Sequence, residues 1–129
     1  MRIADSLEEN MSTFKAELVR IASIVESSSK DSSLLFLIDE VFRGTNSQDR
    51  TDGAQILLQK LNKPHISGFM TTHDYALCDR VSEEKMENII FCHFSEHYEE
   101  NEVIFDYKLK PGMSHESNAK FLMKLVGII

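Results

Sequence analysis

Leu34-Leu35-Phe36-Leu37-Ile38-Asp39-Glu40 is a run of five apolar residues that ends at once in two carboxylates. A short, unbroken apolar run predicts a strand buried on both faces, as in the middle of a parallel sheet. Two ionised carboxylates do not belong inside such a strand, because burying an unpaired charge is very costly. They belong at its C-terminal edge, where open α/β sheets bind ligands. An Asp there can hold Mg²⁺, and a Glu beside it can take a proton from an attacking water. That is the arrangement of a Walker B strand. A core strand running out into a polar loop would have the same sequence.

Downstream, Val41 to Arg50 reads as a ten-residue loop dense in hydrogen-bonding groups, at the end of a central strand where function concentrates. Thr51 or Asp52 is then expected to cap a helix with Ala54, Leu57, Leu58 and Leu61 on its apolar face, closed by Pro64. His65 to Thr71 is the next candidate strand, running into Thr72-His73-Asp74. The strand–loop–helix–strand order predicts a parallel α/β unit. It would bring His73 near Asp39 and Glu40, although a single His after a strand is also an ordinary loop residue. Tyr75 to Ser82 reads as a short helix.

Upstream, Met1 to Met11 is polar, and Ser6-Leu7-Glu8-Glu9 has the form of a capping box. The stronger helix is expected from about Ser12 to Ser27, with Phe14, Leu18, Ile21 and Val25 as one apolar stripe. Ser12 and Thr13 would stand at its N-terminus. Free backbone N–H groups, the helix dipole and two hydroxyls would then make an anion site there, or simply a helix cap. Beyond residue 87 the period turns from helical to alternating. Asn88–Tyr98 and Glu102–Leu109 are expected to pair as an antiparallel β-hairpin through Glu99-Glu100-Asn101, with Val103, Phe105, Tyr107 and Leu109 on one face. Ser114 would cap a last helix carrying Ala119, Leu122, Met123 and Val126, with Gly127 as its stop.

The chain has 129 residues, 42% hydrophobic and 27% charged, as expected of a soluble globular domain or part of one. A net charge of −7 argues against a general nucleic-acid surface on this piece. Two cysteines, Cys78 and Cys92, fit a reducing cytosol, and no run reaches membrane-spanning length, so a cytoplasmic protein with no membrane association is expected. Cys92, His93 and His97 make a poor zinc site, because on one strand the two histidines would lie about 13 Å apart. No G-x-S-x-G elbow is present. None of the five glycines opens a G-x-x-x-x-G-K-[ST] loop or a G-x-G-x-x-G fingerprint.

Four segments together carry a family resemblance. Ser12-Thr13-Phe14-Lys15-Ala16-Glu17-Leu18, Leu34 to Glu40, Arg43-Gly44-Thr45-Asn46-Ser47-Gln48-Asp49-Arg50 and Thr71-Thr72-His73-Asp74 resemble, in order and spacing, successive motifs of the MutS family of DNA mismatch-repair ATPases. Lys110-Pro111-Gly112-Met113-Ser114 with Asn118-Ala119 is similar to the family's closing segment. Asp49 followed by Arg50 looks more like the MutS-related branch than the mismatch-repair protein itself, where a Gly commonly follows the Asp.

The resemblance implies an ABC-type, P-loop NTPase-like sheet flanked by helices, dimerised so that each nucleotide lies between two subunits. It implies ATP and Mg²⁺ as cofactors of the complete domain. Ser12, with Thr13 beside it, would reach the γ-phosphate bound by the partner subunit. Asp39 would act on Mg²⁺ through its water shell, and Glu40 would orient or deprotonate the attacking water. The loop holding Asn46 and Asp49 would cross the dimer interface, and His73 would sense the γ-phosphate. The family's phosphate-gripping loop would lie upstream of Ser12, so residues 1–129 look like the C-terminal portion of the ATPase domain, a fragment or a natural truncation. On that basis the purified piece is expected to bind ATP weakly and not to hydrolyse it. DNA contact would come from other parts of the parent. Two alternatives are a non-catalytic dimerisation module and another ABC-type ATPase; Asn10-Met11-Ser12-Thr13 lacks the glycines of the usual signature of the latter.

Overall fold

The apolar heptad forms strand β1 (Leu34–Asp39), which pairs in parallel with β2 (Ile66–Thr71), Leu34 opposite Ile66 and Asp39 opposite Thr71. Between them runs α2 (Ser47–Leu61), so the strand–helix–strand order predicted from the pattern is present. α1 (Arg2–Ser27) precedes β1, and α3 (Tyr75–Glu83) follows β2. The computed structural model describes residues 2–30, 32–99, 102–114, 123 and 126–128 of this α/β chain. It divides into two units, Met1–Met86 and Glu87–Ile129.

In the first unit the core is made by Ile38, Val41, Ala54, Leu57, Leu61, Leu77 and Val81, each no more than 8% exposed. β1 is not covered on both faces. Its pattern alternates: Ile38 is buried, whereas Leu35 and Leu37 are 66% and 72% exposed, and Phe69, opposite Leu37 on β2, is 69% exposed. A parallel strand earns a continuous apolar sequence by having two faces to bury. Here one face of the β1–β2 pair is open among the described residues. On the other face the ring of Phe36 lies over Gly68, its register partner; a Cβ at Gly68 would come within 2.4 Å of it.

Two helix boundaries differ from expectation. α1 does not begin at Ser12 but runs unbroken from Arg2. No glycine or proline interrupts residues 2–27, and Ala, Leu, Glu, Met, Lys and Arg make up half of them, so nothing stops the helix. Ser12 and Thr13 are therefore interior helical residues whose N–H groups serve the i−4 ladder. The anion site expected from free N–H groups and a helix dipole at Ser12 does not exist. The Ser6–Glu9 capping box likewise falls inside the helix. α2 begins four to five residues before Thr51 or Asp52, with Asn46 as N-cap: its Oδ1 accepts from Asp49 N–H at 2.9 Å, and its Nδ2 donates to Asp49 Oδ2 at 2.6 Å. The expected ten-residue loop thus shrinks to Glu40–Asn46.

α2 and α3 are tied by side chains. Thr51, 4% exposed, donates its hydroxyl to Asp74 Oδ2, and Arg80 ion-pairs with Asp52. Gln55 and Gln59 donate to Glu84. Asp74 is the N-cap of α3 and accepts from Leu77 N–H at 3.3 Å.

The second unit holds short strands only. β3 (Cys92–His93) pairs antiparallel with β6 (Lys110–Pro111), and β4 (Glu96–Glu99) with β5 (Glu102–Phe105). The expected strands were too long. Asn88 and Tyr107 have φ of 64° and 54°, which breaks the extended backbone, so Tyr107 and Leu109 do not continue the face of Phe105. His93 and His97 sit on different strands. The helix expected after Ser114 lies mostly outside the described residues. Among the described residues near it, Gly127 has φ 73°, and Ile128 N–H bonds Met123 C=O at 2.8 Å, a pairing of the Schellman type.

Candidate functional site

The C-terminal ends of β1 and β2 lie side by side, so Asp39-Glu40 and Thr72-His73-Asp74 leave the same edge. Asp39 is opposite Thr71, whose hydroxyl donates to Asp39 Oδ1 and also accepts from Glu40 N–H at 3.2 Å. Glu40 N–H bonds Thr71 C=O as well, at 3.2 Å. The chain then turns sharply: Glu40 has φ 47° and Phe42 φ 60°. A non-glycine residue in the left-handed region is held there at a cost of roughly 1–3 kcal/mol, and such residues cluster at functional sites.

The turn presents the Glu40 carboxylate to two partners. Its Oε2 lies 2.7 Å from Arg43 Nε, and its Oε1 lies 3.4 Å from His73 Nε2. The Glu40 side chain is 27% exposed and that of His73 92% exposed, so the pair faces solvent and is open to a ligand. Glu40, His73, Arg43, Arg50, Thr72 and Asp74 line a cleft of about 90 Å³. Pockets that enclose a whole small ligand run to roughly 300–1,000 Å³. This cleft is smaller, and its lining carries both signs of charge, Arg43 and Arg50 with Glu40 and Asp74.

The loop after Glu40 is fixed from α1. Glu17 Oε1 accepts from Phe42 N–H, and Gly44 lies so close to Phe14 that a Cβ there would come within 2.7 Å of the Phe14 Cβ. The α1 segment with Ser12 and Thr13 is in this way attached to the loop that leads to Asn46 and Asp49, although Ser12, Thr13, Asn46 and Asp49 do not line the cleft. Ser12 and Thr13 are exposed on α1. Asn46 and Asp49 are exposed and bonded to each other at the start of α2.

Of the residues singled out in the sequence, then, Glu40 and His73 come together, Asp39 stands next to them, and the other four lie elsewhere. Arg43, Arg50 and the Thr71 hydroxyl were not singled out. Arg43 and Arg50 were legible as members of a motif but not as lining of the cleft, since a left-handed turn at Glu40 has no sequence signature. Two titrating groups nearby are shifted. Asp52 is held below the usual carboxylate range by its hydrogen bond from Arg80, then by that from Gln48. The Cys78 thiol is pushed up, first by burial and then by Asp74 and Asp79.

Asp39 and the Thr71 hydroxyl are hard oxygen donors, as Mg²⁺ requires. Among the described residues no group of three or more His, Cys, Asp or Glu could cage a metal alone. Mg²⁺ usually keeps its waters and shares one or two carboxylates with substrate phosphates, so a single carboxylate at this edge is compatible with it. No described helix is long and apolar enough to cross a membrane.

The family model described as MutS domain V matches residues 1–128. The DNA mismatch repair protein MutS of Methanosarcina mazei is 31% identical over 127 residues, covering 96% of this chain and 14% of that protein. The protein of the same name from Syntrophomonas wolfei is 30% identical over 125 residues, 97% of this chain and 14% of the relative. That from Listeria monocytogenes is 32% identical over 116 residues, 88% of this chain and 13% of the relative. The chain spans about one seventh of the length of these curated relatives.

Proposed function

The chain belongs to the MutS family, and from that premise we propose that it is the C-terminal part of the ATPase domain of a cytoplasmic MutS-like DNA mismatch-repair protein. In this reading the complete domain has an ABC-type, P-loop NTPase-like fold and binds ATP with Mg²⁺ between two subunits. DNA is contacted by other parts of the parent. The observation that carries the reading is the Glu40 carboxylate, set by a left-handed turn at the edge of a parallel strand pair and 3.4 Å from His73.

In phosphoryl transfer the protein contributes positioning and charge neutralisation rather than covalent chemistry. Glu40 accepts the proton of the attacking water at its carboxylate. His73 Nε2, within reach of Glu40 Oε1 and open to solvent, donates to a terminal phosphate oxygen. Asp39, oriented by the Thr71 hydroxyl, would hold Mg²⁺ through water, and the ion would neutralise phosphate charge. Ser12, Thr13, Asn46 and Asp49 are assigned to the partner's nucleotide. Ser12 and Thr13 would act through their hydroxyls alone, since no free N–H groups accompany them.

In the full-length protein that carries this segment, Glu40→Gln is expected to lower ATP turnover by on the order of 100-fold or more while ATP-dependent dimerisation persists. Unchanged turnover would remove Glu40 from the mechanism. A second reading is a non-catalytic dimerisation module. It predicts dimerisation that ATP does not affect.

A further inference from the structure

The charges around the cleft do not balance symmetrically. Glu40 is engaged by Arg43 at 2.7 Å. Asp74 is engaged by the Thr51 hydroxyl and by Leu77 N–H at the start of α3. Asp49 is bound by Asn46, and Asp52 by Arg80 and Gln48. Arg50 also lines the cleft, yet its guanidinium has no ion-pair or hydrogen-bond partner among the described residues.

Its position makes this unusual. Arg50 lies in the first turn of α2, where the helix dipole favours acidic side chains and disfavours a cation. Its backbone is held by Arg50 N–H to Asn46 C=O at 3.1 Å, so the side chain springs from a capped, rigid turn. The residue is only partly exposed, next to Thr51 in the core. Places where a sequence breaks a local rule concentrate at functional or strained sites.

We propose that Arg50 is a phosphate-binding residue of this site. It rests on the nucleotide reading above and adds to it a cationic donor, beside His73, for the terminal phosphoryl group. The guanidinium fork matches two phosphate oxygens at once, which a lysine ammonium cannot do. The cleft, of about 90 Å³, has room for such a group. With Glu40 ion-paired to Arg43, Arg50 is the lining cation left to face an anion, although the carboxylates of Glu40 and Asp74 equal the two arginines in number.

The test is an amide NMR titration of the ¹⁵N-labelled chain with millimolar Mg-ATP and, separately, inorganic phosphate. The wild type is expected to shift residues 40–50 and 72–74 with both probes, phosphate more weakly. Arg50→Ala is expected to weaken binding by roughly tenfold, the scale of one charge-assisted hydrogen bond. Arg50→Lys should recover part of it, because the charge remains and the fork is lost. If the wild type binds there and His73→Ala weakens it but Arg50→Ala and Arg50→Lys do not, this assignment fails and the nucleotide reading stands. If neither probe shifts those residues in the wild type, both fail.

Discussion

Residues 1–86 and residues 87–129 are both rich in apolar residues, yet the described parts of the two reach opposite outcomes. The first unit buries seven apolar side chains and caps two helices with side chains, Asn46 for α2 and Asp74 for α3. In the second, no described apolar residue is buried; Ile90, Phe94, Phe105, Tyr107 and Leu109 are all more than half exposed. Its strands pair two or four residues at a time, and isolated two-stranded pairs are marginal in water. The lesson is that strained, solvent-facing chemistry needs a stiff neighbour. Glu40 and Phe42 keep a left-handed backbone because Val41 between them is 5% exposed and Glu17, Phe14 and Thr71 grip both sides.

The comparison breaks most directly on core truncation. Leu57→Ala, at a position 3% exposed, is expected to cost about 2–5 kcal/mol, whereas Ile104→Ala, 41% exposed, should cost under about 1 kcal/mol. Urea unfolding followed by circular dichroism reads both. Equal losses would mean the second unit has a core of its own.

Next in size is the grip on the Glu40 loop. Gly44→Ala sets a methyl against the Phe14 Cβ, which is close to the helix backbone and cannot rotate away. A cost of about 1–3 kcal/mol is expected, as for overpacking, together with loss of the amide shifts that report nucleotide at Glu40. Full stability with unchanged binding would show that α1 does not hold the loop.

A smaller effect sharpens the α2–α3 joint. Because Arg80 and Gln48 depress the native pKa of Asp52, its contribution is fully present above the unfolded value of about 3.9 and is lost as pH falls through the native value. Asp52→Asn should therefore remove part of the stability difference between neutral pH and pH about 3, measured by thermal melts at each pH. An identical pH profile would leave the Arg80–Asp52 pair without weight. The smallest expected contrast is chemical: Cys78, half-buried and with its thiol pKa raised, should alkylate with iodoacetamide more slowly than the exposed Cys92. Peptide mass mapping reads the order, and a faster Cys78 would contradict the burial described for α3.

Much of the first unit was legible because apolar runs and periodic stripes record burial. The Leu34–Asp39 strand, its parallel partner and the intervening helix follow from that pattern. The bounds were not legible where sequence signals compete. Ser12-Thr13 looks like a cap, but a cap needs a break, and residues 2–27 contain none. Thr51-Asp52 looks like a cap too, but Asn46 and Asp49 satisfy the helix first. Leu35 and Leu37 read as buried and are open, since an apolar side chain records that a face can be covered and not by what. At the site, Glu40 and His73 were legible as polar residues at two strand ends. The turn that joins them to Arg43 and Arg50 was not, because nothing in Glu40 or Phe42 announces a positive φ.

The central claim is that the phosphate-facing edge is the one carrying Asp39, Glu40 and His73. Mn²⁺ in place of Mg²⁺, added with ATP to the ¹⁵N-labelled chain, tests it by paramagnetic broadening. Amides of residues 39–43 and 71–74 are expected to broaden first. Broadening centred instead on the acid-rich β4–β5 pair, with Glu96, Glu99 and Glu102, would contradict the account.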